Sequence, residues 1–465
     1  MRIIRPPRRR SGQSLVLFLV FASACVATLL VVFNVGQVTS EKEKLVNTAD
    51  AAAYSAAITE ARTLNFESYI NRGVVANEVI IAQIVSFDSW VNYLDSVSDN
   101  LATVTSWIPY VDVITSDIAE VANEADKIVT EVSQPAVTAE NILAYRVLPP
   151  IVQGAHLATY AAAYAALTQV VAQNVTTFNG RSDTAAYVTT GGNAALATNA
   201  LAWNNFTAVP NTPAVAAQVI SDSRDGFSIT RQPAAWPLEF TIPFIARGHK
   251  HGSTVLSSNY SRWDAQDQYV FGTFYPDKHC PFGCWHDAPL AEGDSSASSS
   301  GTSSGTPFSR SWFAITNDMS GFSGIPSLRD IKDRKALTEN TPNHPLALNF
   351  LVEVGKNDSN IKTSSNTGMG VGTQNVTESL AANRVTAASQ ARVYFQRPDS
   401  AADVTGSALF RSDAGRNGYV EYGSVYSPYW QVKLIGVTST QKALLATGDG
   451  AGASAVGIAG LGLTP

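Results

Sequence analysis

Proline is missing between Pro7 and Pro109, and glycine occurs there only at Gly12, Gly36 and Gly73. Those are the two residues that most strongly break helices, so their scarcity permits very long helical runs. Charge is also scarce, at 15% of residues, and the net balance is -6. That excludes the broad basic face needed to displace counterions from nucleic-acid phosphates. Cysteine is reduced to Cys25, Cys280 and Cys284. Neither a Walker loop nor a dinucleotide fingerprint is present. Gly321-Phe322-Ser323-Gly324 is not a nucleophile elbow, because its second glycine comes one residue early.

One segment has no charge at all, from Ser11 to Ser40. It contains Leu15, Val16, Leu17, Phe18 and Leu19, then Leu29, Leu30, Val31, Val32 and Phe33, and stays apolar to Val38. As a helix at about 1.5 Å per residue, such a run crosses a hydrocarbon core of roughly 30 Å. Arg2, Arg5, Arg8, Arg9 and Arg10 precede it, whereas Glu41, Lys42, Glu43 and Lys44 follow with no net charge. The positive-inside rule then predicts a single-pass inner-membrane anchor with a cytoplasmic N-terminus and an extracytoplasmic body. Signal-peptidase cleavage near Ala22-Ser23-Ala24, or lipidation of Cys25, would require polar sequence after Cys25; instead Val26 to Val35 is apolar.

Beyond the anchor, Leu45, Ala49, Ala52, Ala53, Ala56 and Ala57 recur at helical spacing. The face made by Ala49, Ala52, Ala53 and Ala56 is narrow and lets another helix approach closely. Two occupants stay open: the protein's own downstream helices, or a neighbouring helix in an assembly. Asn65 to Gln83 continues the periodicity, with Arg72 spaced to pair with Glu67 or Glu78.

Gly12-Gln13-Ser14-Leu15-Val16 behind the arginine cluster, followed by Asn47-Thr48-Ala49-Asp50-Ala51-Ala52-Ala53, resembles the start of Tad/Flp pilus-assembly proteins of the TadE/TadG type. Asn71-Arg72, Val75 to Val79, Ile81 to Gln83 and Pro428-Tyr429-Trp430-Gln431 are similar to blocks of longer members. The resemblance implies a membrane-anchored structural component of a tight-adherence (Tad/Flp pilus) secretion system. It would act by protein–protein contact with other Tad/Flp assembly proteins, without a cofactor and without catalysis. Pilin-like members carry a glutamate five residues after the glycine of the cleavage site; here that position is Leu17.

Helical spacing to about Phe206 and strand signals after residue 225 predict an α+β chain. Its expected parts are a basic tail at 1–10, the anchor at 11–40, an extended TadG-like helix at 41–85 and a helical region at 86–206. An α+β region at 207–447 and a disordered tail at 448–465 complete it. Pro135, Pro149-Pro150 and Gly191-Gly192 mark helix boundaries. Strands are expected at 227–231, 238–244, 312–316, 346–354, 391–396 and 430–437, mostly antiparallel. The Ser/Gly/Thr stretch 295–306 reads as a flexible loop.

For chemistry, His279-Cys280-Pro281-Phe282-Gly283-Cys284-Trp285-His286 stands out. Two thiolates and two imidazoles suit zinc. In an oxidising compartment a Cys280–Cys284 disulfide is the favoured expectation, with no metal. Asp294, Ser296 and Ser298 match the spacing of a von Willebrand A metal motif, but the flanking residues read as a loop rather than a rigid strand end. Two other functions remain open. One is an anchored extracytoplasmic hydrolase using His249, His251, His279 and His286. The other is a minor pilin cleaved after Gly12.

Overall fold

A computed structural model describes residues 13–105, 129–173, 186–232, 239–301, 314–332, 348–364, 384–395 and 424–450, with short pieces between 120 and 127 and between 177 and 182. Residues 106–119, 302–313 and those beyond Gly450 lie outside them.

The chain is organised around one helix, α1, Gln13–Thr105, of 93 residues. At 1.5 Å per residue it is about 140 Å long. Its first part stands free: Leu15 to Leu19, Leu29 and Val31 to Phe33 are all exposed, and Leu30 is half-buried. From Leu45 to Val97 the same helix is the spine of the body, buried at Ala49, Ala52, Ala53, Ala56, Leu64, Val74, Ile81, Val85 and Tyr93.

The body meets α1 first at Asn34, whose Oδ1 accepts from Ser364 N at 2.7 Å. Two turns on, the Glu41 carboxylate accepts from Lys44 at 2.8 Å and from the buried Lys356 at 2.9 Å. Lys42 donates to the Thr386 carbonyl. The expected anchor at 11–40 is therefore wider than the part clear of the body, which ends at Phe33. Those 21 residues from Gln13 match about 30 Å of hydrocarbon.

Four further helices pack around α1 or on the sheets: α2, Gln134–Asn141; α3, Leu148–Gln173; α4, Thr190–Phe206; and α5, Ala214–Asp222. Pro135 and Pro149-Pro150 do not end the helical run: π-helical turns at Val129–Ser133 and Ile142–Val147 lead directly into α2 and α3, and the backbone stays helical at Ser133 and Leu148. Gly191-Gly192 open α4 rather than ending a helix, with Thr189 as N-cap accepting from Gly192 N. A Cβ on Gly192 would lie 2.5 Å from the Glu353 carbonyl, so this glycine is what lets α4 sit against the sheet.

Two sheets flank the spine. The first joins β1, Tyr187–Val188, to β7, Asn349–Asn357, β8, Arg384–Phe395, and β9, Trp430–Ile435, in the order β9-β8-β7-β1, all antiparallel. Phe350, Val352, Val354, Ala387, Ala391 and Val393 meet Ala49 to Leu64 of α1 and Leu167 and Trp203 in one apolar cluster. A final helix, α6, Ser439–Gly450, packs on α4, with Gly448 against Gly191.

The second sheet has the order β2-β3-β4-β5-β6: β2, Phe240–Ile242; β3, Ala246–Leu256; β4, Trp263–Tyr275; β5, Cys284–Ala297; and β6, Ala314–Met319. Only the β5–β6 pair is parallel among them. The chain is thus α+β, with a long N-terminal helix, a helical middle and mostly antiparallel C-terminal sheets.

Three expectations fail here. Residues 227–231 form a helical turn, Gly226–Ile229, and a single bridge at Thr230, not a strand. β3, β4 and β5, three of the four longest strands, carried no strand signal. Ser295 to Ala297 is the buried end of β5, not a flexible loop. Along β5 the residues facing α1 are Ala291, Gly293, Ser295 and Ala297. A Cβ on Gly293 would lie 2.0 Å from Tyr93 N. Small residues that look like a linker are what allow the helix to lie on the strand.

Candidate assembly interface and the distal hairpin

Ala49, Ala52, Ala53 and Ala56 are all at 0% exposure, covered by the chain's own first sheet and α3. The expected assembly face is therefore an internal seam. The small side chains do admit a close neighbour, but that neighbour is intramolecular. The part of α1 that stands clear of the body is its apolar segment, and Tyr54, Phe66 and Tyr69 are exposed farther along it.

Polar contacts hold the spine in register. Asn65 brackets Trp430, donating to its carbonyl at 3.0 Å and accepting from its N–H at 2.9 Å. Asn71 donates to the carbonyls of Arg329 and Val425, at 3.1 and 2.9 Å. Arg72 pairs with neither expected carboxylate. Glu67 instead meets His156 Nδ1 at 2.8 Å, and the His156 ring stacks on Trp203 at 4.5 Å. Glu60 and Glu78 are fully buried with no hydrogen-bond partner among the described residues. Burial pushes Glu60 well above the usual carboxylate range and Glu78 up to about 8.

Farther along, α1 meets the second sheet through an apolar cluster at Val74 to Val85 and then through hydrogen bonds beside a buried ion cluster. Asp267, fully buried, accepts from Arg231 Nε at 2.6 Å, Lys250 Nζ at 2.5 Å and Ser89 Oγ at 2.8 Å. Arg231 spends its remaining N–H groups on Phe227 O, Ser253 O, Gln266 O and Thr254 Oγ1. Ser295 donates to Asp88 at 2.6 Å and Asn92 to the Asp294 carbonyl at 2.9 Å.

Beyond its contact with Tyr93 and Val97, β5 runs on past α1 to the β4–β5 hairpin. That end of the sheet carries a patch of exposed apolar side chains. Phe282 at the hairpin tip is 98% exposed and Phe244 in the β2–β3 turn 75%. Ile242, Ile245 and Tyr275 are also exposed. Phe244 adopts φ 60, a left-handed conformation that is costly for a bulky residue. It packs edge-on to Phe274 at 5.4 Å, and Phe274 to Trp285 at 5.5 Å.

The hairpin also holds the cysteines. Cys280 and Cys284 are neighbouring thiols in this structure, in hydrogen-bonding contact. Asp277, Cys284 and His286 bring one ligand atom each within 4.8 Å of one another, the sole such group among the described residues. His249, His251 and His279 do not join it. Asp294 and Ser296 lie at the end of an ordered strand, contrary to the loop expected from their flanks, yet Ser296 is spent on Asp318 at 2.6 Å. The exposed tip and Asp277 were missed because neither has a sequence signal. Exposure is a property of the fold, and Asp277 is a lone turn residue between Pro276 and Lys278.

Residues 12–59 match the Tad family model, described as Putative Flp pilus-assembly TadE/G-like. The match covers the free apolar segment and the alanine seam and stops before Glu60. The role it carries is pilus assembly, that of a structural rather than a catalytic family. No curated protein and no solved structure shows a significant match to the chain.

Proposed function

We propose that this protein is a single-pass, inner-membrane-anchored assembly component of a Tad/Flp pilus machinery, acting through protein–protein contact. The observation that carries this is the single helix α1. Its first 21 residues are apolar and clear of the body, and its next sixty or so are the body's own core. An anchor built this way transmits position and torque directly, because no linker separates lipid from fold. The Tad-type match over 12–59 supports the pilus assignment.

In this reading 1–10 is a cytoplasmic basic tail, 13–33 crosses the bilayer, and Asn34 to Lys44 lies at the outer membrane–water boundary. The rest is extracytoplasmic, held by Glu41, Lys42 and Asn34 at a fixed height. The membrane-distal patch of Phe282, Phe244 and Ile245 is the surface offered to other Flp pilus-assembly proteins. Large apolar side chains held outward, one on a strained backbone, are features of contact sites rather than of solvated turns.

The test is in vivo photocrosslinking from positions 244 and 282 in membranes of the native host, followed by identification of the adducts. Adducts with Flp pilus-assembly proteins are expected. Crosslinking to none of them, or recovery of the body in the soluble fraction, contradicts the proposal.

A further inference from the structure

We propose that Asp277, Cys284 and His286, completed by Cys280, form a metal site for a thiophilic divalent cation of the zinc type at the tip of the β4–β5 hairpin. Asp277, Cys284 and His286 supply a carboxylate, a sulfur and an imidazole that already converge, and Cys280, beside Cys284 but outside that group, would supply the fourth donor of a closed tetrahedral zinc site. Cys284 Sγ lies 3.5 Å from His286 Nε2. With Zn–S of 2.3 Å and Zn–N of 2.0–2.1 Å, the S···N edge of a tetrahedron is about 3.6 Å. His286 Nε2 lies 3.8 Å from Asp277 Oδ2, a few tenths longer than the corresponding N···O edge of about 3.4 Å.

The loop is built to hold these donors. Asp277 Oδ1 accepts from the His279 and Cys280 N–H groups, at 2.7 and 2.9 Å, which fixes the carboxylate and leaves Oδ2 facing His286. Gly283 N donates to the Cys280 carbonyl at 2.9 Å, closing a Cys-Pro-Phe-Gly-Cys turn in which Gly283 has φ +95. A Cβ on Gly283 would lie 2.3 Å from the Phe274 ring, so the turn also needs glycine for space. Tyr275 stacks on the His286 ring with centroids 3.8 Å apart, setting its orientation. A disulfide accounts for the two cysteines alone. It gives no role to the convergence of Asp277 and His286 on Cys284. A bound ion would cross-link the two arms of an exposed hairpin and fix Phe282, which lies between the two sulfur donors.

The experiment uses the full chain, extracted from membranes in mild detergent without reductant, and zinc itself as the probe. Zinc content by elemental analysis is paired with the mass shift on alkylation of the unfolded, chelator-treated protein. About one zinc per chain is expected, with Cys280 and Cys284 both alkylatable. His286→Ala and Asp277→Ala should each weaken zinc retention more than about tenfold. Cobalt loaded in place of zinc should show a thiolate charge-transfer band that Cys284→Ser weakens and the double change Cys280→Ser, Cys284→Ser abolishes. A metal-free protein with a quantitative Cys280–Cys284 disulfide overturns the proposal, as does zinc content indifferent to His286→Ala. The assembly role does not depend on the outcome.

Discussion

The two sheets pack against the same helix with different shares of buried charge. The first meets Ala49 to Leu64 with Phe350, Val352, Val354, Ala391 and Val393, an apolar contact. The second shares an apolar cluster with Val74 to Val85 through Trp263, Ala265, Ala297 and Met319, and then meets Ser86, Asp88 and Ser89 through Thr254, Ser295 and Asp267, the last neutralised by Arg231 and Lys250. Apolar packing is non-directional and tolerates repacking. The ionic seam works only while each partner is present, because an unpaired buried charge is costly. The near end of the body is therefore expected to be forgiving, and the far end specific in its register.

The largest expected effect breaks the far seam. Asp267→Ala leaves Arg231 and Lys250 buried without their counter-ion and should cost about 3–5 kcal/mol in chemical unfolding of the purified chain. Loss of under about 1 kcal/mol would place the seam in water.

The next effect sharpens the boundary between the regions, where Glu78 sits. Its folded pKa is raised by burial to about 8 from 4.5. Its protonated form is favoured on folding, so stability is greatest below pH 4.5 and falls as pH rises through 4.5 to about 8. Glu78→Gln removes that slope and should stabilise the chain by roughly 3 kcal/mol at pH 7, with little change at pH 4. A parallel pH dependence in the variant contradicts this assignment.

In the near region, Ala52→Leu must force a larger side chain into a filled seam, at a cost of about 1–3 kcal/mol. Indifference to this change would mean that the alanine face is open to another helix. The smallest effect is at the tip. Phe244→Gly relieves a left-handed backbone and should stabilise the fold by about 1 kcal/mol, while reducing crosslinking to assembly partners. Loss of stability with unchanged crosslinking would remove the tip from the interface.

The same contrast decides what could be read before folding. The free segment at Leu15 to Phe33 and the alanine periodicity were legible, since each is a pattern in apolar residues alone. So were parts of β2, β7, β8 and β9, whose apolar residues are plain. The polar strands were not. Ala246–Leu256, Trp263–Tyr275 and Cys284–Ala297 bury Lys250, Asp267 and Ser295, and their partners come from Ser89, Asp88 and Arg231, distant in sequence. The alanine face was legible as a seam but not its occupant, because the spacing says that something approaches closely and not what. At the hairpin, Cys280, Cys284 and His286 were visible together, whereas Asp277 joins them only through the turn.

The central claim is that one uninterrupted helix passes from lipid into the core of the body, with the boundary at Asn34. It is tested most directly by single cysteines placed at 19, 29, 43 and 46 in a background with Cys25→Ala, Cys280→Ser and Cys284→Ser. They are probed in intact cells whose outer membrane alone has been permeabilised, using a membrane-impermeant maleimide. Positions 43 and 46 should label and positions 19 and 29 should not. Labelling at 19 and 29 equal to that at 46 would show that the apolar segment is outside the bilayer, and would contradict the account.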